Sequence, residues 1–172
     1  MPKDFGLSKD EITQTAALLA KLEPGYLPFE IFLQVYRLTP SPTLQIIPLR
    51  WGAAGEVEVQ LVRRPADDPL WPNMWHNPGT VLRAGDTFGS STNRLFDDDL
   101  GSFGTAEDLI FVENMFHTSD RGSEIILLYR MDGEDDEPSA GKFFAVDALP
   151  KDIIASEVSL IRRAAADFKR RG

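Results

Sequence analysis

Residues 77–101, which read NPGTVLRAGDTFGSSTNRLFDDDLG, carry more information about the fold than any other part of the chain. A Pro-Gly turn, a Gly-Asp turn and an acidic segment follow one another, and this order predicts a loop, a helix and a second loop. Thr87 is a suitable N-cap for a helix over residues 88–100, and Gly101 is suited to end it. The segment therefore predicts a short helix between two turns.

The end of the predicted helix carries clustered carboxylates. Leu95, Asp98 and Asp99 have the spacing of residues that share one helix face. Adjacent carboxylates repel each other unless water or a cation screens them, and Mg²⁺ and Mn²⁺ are hard cations that select oxygen ligands. The pair of aspartates is thus a candidate metal site, and a solvated acidic helix end is the alternative.

The same segment resembles the signature of the Nudix hydrolase superfamily, G-x5-E-x7-R-E-U-x-E-E-x-G-U, where U is a bulky aliphatic or similar residue. With Arg94 setting the alignment, six positions agree with the signature, three of them with Asp in place of Glu: Asp86, Arg94, Phe96, Asp98, Asp99 and Gly101. Three positions depart from it: Thr80 at the first Gly, although Gly79 precedes it, Leu95 at a Glu, and Ser102 at the last U.

The resemblance implies a metal-dependent hydrolase that cleaves a pyrophosphate bond in a nucleoside diphosphate derivative, a nucleotide-like small molecule. It makes Asp98, Asp99 and Arg94 the catalytic residues, with Mg²⁺ or Mn²⁺ held by Asp98, Asp99 and the Gly79 carbonyl. Asp86 and Gly101 would support the loop and helix. The alternative is a catalytically impaired Nudix-fold domain that acts as a nucleotide-binding sensor or a protein-interaction module, because Leu95 replaces a family carboxylate.

Other titratable residues have weaker claims to a site role. Glu113 and Glu124 lie on or beside predicted strands and are candidate extra site residues. The acidic loop over residues 132–137 could supply a base or a further metal ligand, but a solvated loop is the favoured interpretation. His76 and His117 lack partners at a catalytic or metal-binding spacing, so we expect them to be packing or surface residues.

Outside the signature, hydrophobic periodicity predicts helices and strands in one compact unit. We expect helices over residues 8–22 and 156–171, with Ser8 as N-cap of the first, a turn over 39–42, and strands over 29–38, 44–49, 56–64, 109–116, 125–129 and 142–146. The expected fold class is α/β, a Nudix-like α/β/α sandwich with a mixed β-sheet and an extra N-terminal helix. Residues 1–27 would form the helical extension and residues 28–172 the Nudix-like domain.

Composition restricts the classes of function further. The chain has 172 residues, no cysteine and a net charge of −9, so thiol chemistry and zinc-thiolate sites are excluded. The negative charge opposes binding to nucleic acid polymers and anionic membranes. No apolar run is long enough for a membrane span, and we expect a cytoplasmic protein. The sequence leaves the oligomeric state open, a homodimer included.

Overall fold

The computed structural model describes residues 6–100, 105–133, 138 and 140–171, and these form four α-helices and seven strands. The helices are α1 (Lys9–Leu19), α2 (Phe29–Leu38), α3 (Phe88–Leu95) and α4 (Val158–Arg171). The strands are β1 (Ser41–Trp51), β2 (Val57–Arg63), β3 (Trp75–His76), β4 (Gly79–Val81), β5 (Leu109–Ser119), β6 (Gly122–Asp132) and β7 (Lys142–Ala145). A π-helical turn, Phe96–Leu100, continues α3, and short 3-10 turns lie at Ala106–Asp108, Val146–Ala148 and Ala155–Glu157.

The central strand of the sheet is β1. It pairs in parallel with β6 along one edge. Along its other edge it pairs antiparallel with β4 at residues 43–45 and with β2 at residues 49–51. The remaining pairs are antiparallel: β5 with β6, and β3 and β7 with β2. The sheet is therefore mixed, and nearly all of β1 is buried because both faces of the sheet are covered.

Successive side chains of β1 point into two separate hydrophobic clusters. Leu44 and Ile46 pack with Leu95 and Leu100, from α3 and the turn after it. Ile47 and Leu49 belong to the other cluster, which includes one face of α4. Since strand side chains alternate between the two faces of a sheet, α3 and α4 cover opposite faces. This is an α/β/α sandwich, and the predicted fold class is confirmed.

The segment predicted as a strand over residues 29–38 is instead helix α2, so that prediction is wrong. The alternation of Ile31, Leu33 and Val35 coincides with a helical pattern in which Phe32 and Tyr36 are four residues apart. Their ring centroids lie 4.9 Å apart, as expected for neighbours on one helix face. Apolar residues at both spacings made the segment ambiguous, and only its packing against β6 distinguishes the two structures.

The predicted N-terminal helix is confirmed, and it begins where expected, but its apolar residues are not buried. Ser8 and Glu11 form the expected capping box at the start of α1, which ends at Leu19 rather than Leu22. The predicted apolar stripe stays at the surface, since no residue of α1 is buried and Leu19 is 47% exposed. The predicted turn over residues 39–42 is shorter than expected, because β1 begins at Ser41.

Helix α4 packs on the sheet through an ion pair as well as through apolar contacts. Arg130 of β6 donates to Asp167 at 3.0 Å, and both side chains are only 3% exposed. Arg170 and Arg171 donate to the other carboxylate oxygen of Asp167. Two arginines at the basic end of α4 therefore form ion pairs with Asp167 of the same helix. No helix in the described part of the chain is long and apolar enough to span a membrane.

Candidate functional site

The loop before α3 is held by a fork of hydrogen bonds from Arg94. Its Nη1 and Nη2 donate to the two oxygens of Asp86 at 3.2 and 2.9 Å. Nη2 also donates to the Val81 carbonyl at 3.2 Å, and Nε to the Thr80 hydroxyl at 3.3 Å. Asp86 accepts a further hydrogen bond from the Arg83 backbone N–H at 2.8 Å. The planar guanidinium therefore ties β4, the loop and the helix together.

The same contacts perturb the protonation of both partners. Hydrogen bonds from Arg94 and from the Arg83 backbone hold the pKa of Asp86 well below its usual range. In return, the hydrogen bonds and charge of Asp86 raise the pKa of Arg94, and the nearby charge of Asp98 adds to this effect. The pair is therefore ionised across the physiological range, and it places Asp98 within the field of the guanidinium.

Helix α3 begins as the sequence predicts and ends differently. Thr87 accepts a hydrogen bond from the Ser90 backbone, and the Ser90 side chain accepts one from the Thr87 backbone, so the cap is confirmed. The α-helix ends at Leu95, and the chain continues as a π-helical turn to Leu100. Gly101, the predicted end of the helix, and Ser102 lie outside the described residues.

The expectation that Leu95, Asp98 and Asp99 share one face is wrong. Leu95 is 2% exposed and packs in the cluster under the sheet, whereas Asp98 is exposed and Asp99 is half-buried. The amphipathic helix turns Leu95 towards the core, and the wider turn after it leaves the aspartates outside. A side chain at position 95 thus occupies the hydrophobic cluster and not the surface that carries the carboxylates.

Asp98 and Asp99 lie close enough to influence each other. Burial and, to a smaller extent, the charge of Asp98 raise the pKa of Asp99 to about 6, while Arg64 and the Gly79 backbone N–H act in the opposite direction. The Gly79 backbone N–H is therefore near the Asp99 carboxylate, where the end of the helix meets the first residue of β4. The structure thus brings together Asp98, Asp99 and Gly79, the three residues expected to hold a metal.

Glycine is required at position 79 by a close approach to a buried amide. A Cβ built on Gly79 would lie 2.5 Å from the Gln45 Cδ and Nε2 atoms. Gln45 is 5% exposed and accepts a hydrogen bond of 2.5 Å from the Asn77 side chain, which is 1% exposed. Since this amide pair is enclosed, it has little room to retreat. A side chain at position 79 would therefore overlap the Gln45 amide of β1.

Glu157 is a site residue that the sequence does not reveal. Its Oε2 accepts a hydrogen bond of 2.7 Å from the Asn77 backbone N–H, and with Gly79, Arg64 and Arg121 it lines a polar cavity of about 30 Å³. Burial raises the pKa of Glu157 to about 8, against the lowering effect of the Asn77 N–H and the arginines. In sequence, Glu157 is simply a polar residue at the start of an amphipathic helix.

Of the two other candidate glutamates, Glu124 lies near the site and Glu113 lies away from it. Glu124 is 2% exposed and accepts hydrogen bonds from Ser119 at 2.8 Å and Arg121 at 3.1 Å, so it borders the site through Arg121. Glu113 instead accepts from Arg163 of α4 at 3.0 Å, in an exposed ion pair on the α4 side of the sheet. Of the acidic loop, residues 134–137 lie outside the described part of the chain.

The two histidines take no part in a described metal cluster. His76 is buried, with Nδ1 2.8 Å from the Asn77 carbonyl oxygen, and burial lowers its pKa to about 4. His117 pairs across from Glu124 on β5. Within the residues that the structure describes, no three histidine or acidic side chains gather in a group that could hold a metal ion.

The donor set at Asp98 and Asp99 fits a magnesium-type cation. Mg²⁺ keeps several waters and is commonly bound by one or two carboxylates together with substrate phosphates. The two aspartates therefore suffice for such an ion, although they would not form a closed structural site of the kind Zn²⁺ prefers. A bound cation would also stabilise the ionised form of Asp99, whose charge is disfavoured without one.

Comparisons with known proteins agree on the fold. No protein-family model matches the chain, and no curated protein sequence matches it. A MutT/nudix family protein from Enterococcus faecalis superposes with a TM-score of 0.59 at 16% identity, over 96% of this chain and 71% of that one. The NUDIX domain of Shewanella oneidensis NrtR, complexed with ADP ribose, gives 0.58 at 14% identity, over 89% and 97%.

A third similar structure is a C. elegans Ap4A hydrolase binary complex, with a TM-score of 0.53 at 19% identity, over 76% of this chain and 98% of that one. These identities are low, so the likeness concerns the fold. The chain has the Nudix fold, and the segment that carries the resemblance to the signature forms the loop and helix beside β4.

Proposed function

We propose that the protein is a metal-dependent hydrolase that cleaves a pyrophosphate bond in a nucleoside diphosphate derivative. The observation that carries the proposal is the lock between Arg94 and Asp86, which fixes the end of α3 so that Asp98 and Asp99 lie beside Gly79. The Nudix fold supports the same class of reaction, since similar structures include an Ap4A hydrolase.

We assign the metal ligands to Asp98, Asp99 and the Gly79 carbonyl, with Mg²⁺ or Mn²⁺ as the ion. When bound, the ion would polarise the pyrophosphate and lower the pKa of an attacking water. The chain's own contribution is positional: Arg94 holds the helix end, while Arg64 and Arg121 give the adjoining cavity positive charge that suits a phosphate oxygen. In a chain of net charge −9, a bound cation and these two arginines would together have to attract a polyanion.

The test is phosphate release, coupled to a phosphatase where needed, from a panel of nucleoside triphosphates, dinucleoside polyphosphates, ADP-ribose and nucleotide sugars. We expect turnover that requires Mg²⁺ or Mn²⁺ and falls at least 100-fold in Asp98→Asn/Asp99→Asn. Asp97→Asn is the matched control, because Asp97 is exposed on the same turn and has no assigned role. Turnover unchanged in the double variant would refute the assignment of the metal ligands.

A second candidate is nucleotide binding without hydrolysis. It is favoured by the small number of carboxylates at the described site, where Leu95 is buried and only Asp98 and Asp99 are paired. A sensor of this kind would bind a nucleotide in the presence of EDTA and show no turnover with any member of the panel. Binding that survives Asp98→Asn/Asp99→Asn, together with absent turnover, would decide for this candidate.

A further inference from the structure

Helix α1 is not covered by the described part of its own chain. All of its residues are exposed, and the side chains of Ile12, Leu18 and Leu19 are about half exposed. The helix has 11 residues. Isolated helices shorter than about 12–15 residues are only marginally stable in water, and helices in proteins gain most of their stability by packing an apolar face. A stable α1 therefore needs a partner that covers its apolar side chains.

The exposed apolar side chains are concentrated around α1 and α2. In the described part of the chain 14 large apolar side chains are exposed, and 8 of them lie within residues 7–38. Those on α2 are Phe29, Val35 and Leu38. Single apolar residues scattered over a surface are normal, whereas a concentration of them marks an interaction surface. The exposed apolar side chains of residues 7–38 are called the N-terminal apolar surface below.

The total surface of the chain is large for its mass. The chain exposes 10472 Å², whereas a compact monomer of 19.2 kDa exposes about 8,400 Å². The excess is about 2,000 Å², and the uncovered helix α1 contributes to it. Homodimer interfaces bury roughly 2,000–5,000 Å² in total, about half of it on each copy. The excess surface of one chain is therefore sufficient for its share of such an interface.

The charge of this region favours a second copy of the chain over a charged partner. Residues 7–38 contain three basic and four acidic residues, a net charge of −1, although the whole chain carries −9. A basic protein would be attracted to the remainder of the chain, and an anionic membrane or nucleic acid would be repelled by it. Two nearly neutral surfaces, in contrast, come together without mutual repulsion.

We propose that the N-terminal apolar surface is the interface of a homodimer, in which α1 packs antiparallel against α1 of a second copy across a two-fold axis. Ile12, Ala16 and Leu19 have the spacing of neighbours on one helix face. In an antiparallel pair centred on this face, Ile12 packs against Leu19 of the partner subunit, and the small Ala16 lets the two helices approach closely. A two-fold interface of this kind is closed, so assembly stops at the dimer.

Sedimentation equilibrium of the full chain tests the proposal. We expect a mass of twice 19.2 kDa at high protein concentration. Ile12→Asp/Leu19→Asp should raise the dimer dissociation constant by roughly 100-fold or more, because each copy then places two carboxylates in an apolar interface. The fold should be retained, since no residue of α1 is buried, and unchanged tryptophan fluorescence would show this, because all three tryptophans lie outside residues 7–38.

Phe116→Asp is the matched control, since Phe116 is exposed on β5, the strand at the edge of the sheet. It should leave the dimer intact. A wild-type chain that is monomeric at every concentration would overturn the proposal, as would a dimer unaffected by Ile12→Asp/Leu19→Asp. A dimer that Phe116→Asp dissociates instead would place the interface on β5 and also overturn it.

Thiol cross-linking gives a second test that does not depend on destabilising substitutions. The chain has no cysteine, so a single introduced cysteine is its only thiol. Ala16→Cys should form a disulfide between two copies on oxidation, because Ala16 lies near the two-fold axis. Asp10→Cys should not, since Asp10 points away from the face of Ile12, Ala16 and Leu19. Equal cross-linking of the two variants would contradict the antiparallel arrangement, whether or not the protein hydrolyses a nucleotide.

Discussion

Replacement of Leu95 by Glu would restore the residue that the Nudix signature has at this position, and we expect it to harm the protein. Leu95 is 2% exposed and packs with Leu44 and Ile46 under β1. Burial of a leucine side chain contributes about 1.5–3 kcal/mol. A carboxyl group placed there without a hydrogen-bond partner adds a desolvation cost of about 2 kcal/mol or more. The expected loss is therefore about 3–5 kcal/mol, a large part of the roughly 5–15 kcal/mol typical of whole domains.

Urea unfolding of Leu95→Glu and Leu95→Met, followed by circular dichroism at pH 7, measures this loss. Leu95→Met conserves volume and should cost less than about 1.5 kcal/mol. In a thermal scan, the Glu variant should unfold roughly 10 °C or more below wild type. If Leu95→Glu stays within about 1 kcal/mol of wild type and binds Mn²⁺ more tightly, position 95 faces the metal site, and our placement of Leu95 in the core is wrong.

Three further predictions concern the site. Arg94→Lys keeps the charge but loses the two hydrogen bonds to Asp86, so it should lower the free energy of unfolding by about 1–2 kcal/mol at pH 7. In urea titrations at decreasing pH, this difference should become smaller as Asp86 is protonated near its low folded-state pKa. Gly79→Ala should cost about 1–3 kcal/mol by the same assay, because its Cβ would overlap Gln45. Glu157→Gln should remove a pH dependence of stability, because burial raises the pKa of Glu157 in the folded protein. As the pH rises from about 4.5 to 8, the free energy of unfolding of the wild type should fall relative to that of the variant by up to about 1.4 kcal/mol per pH unit.

Each of these has a clear contrary result. An Arg94→Lys variant as stable as wild type at pH 7 would show that the fork to Asp86 does not hold the loop. A fully stable Gly79→Ala would mean that the Gln45 amide can move aside. Parallel stability curves for wild type and Glu157→Gln between pH 4.5 and 8 would show that Glu157 titrates normally in the folded protein.

The loop before α3 and the start of that helix could be predicted because they depend on contacts between residues close in sequence. Thr87 caps α3 through Ser90, only three positions away, and Arg94 reaches Asp86 across only eight positions. Such short-range geometry is encoded by residue type and spacing. The predicted loop and the Thr87 cap are therefore confirmed, while the roles of Asp98 and Asp99 stay predictions.

The rest depends on contacts between distant parts of the chain. Glu157 meets Asn77 across 80 positions, and nothing in the local pattern of either residue indicates this. Helix α2 was misread because its apolar residues satisfy both a strand and a helix spacing, and β6 decides between them. The face of Leu95 was misjudged because a regular helix was extended through a segment that widens into a π-helical turn.

The parallel pairing of β1 with β6 has a consequence for how the protein folds. Ser41 aligns with Glu124, so the two central strands join residues more than 80 positions apart, and the loop, α3 and β4 all lie between them in sequence. Closing a chain over that distance costs entropy before any contact repays it, and proteins rich in such pairings fold slowly. The local lock at Arg94 joins residues eight positions apart and can form early, whereas Glu157 and Asn77 meet across 80 positions and require a second long-range closure. The site is thus completed late in folding.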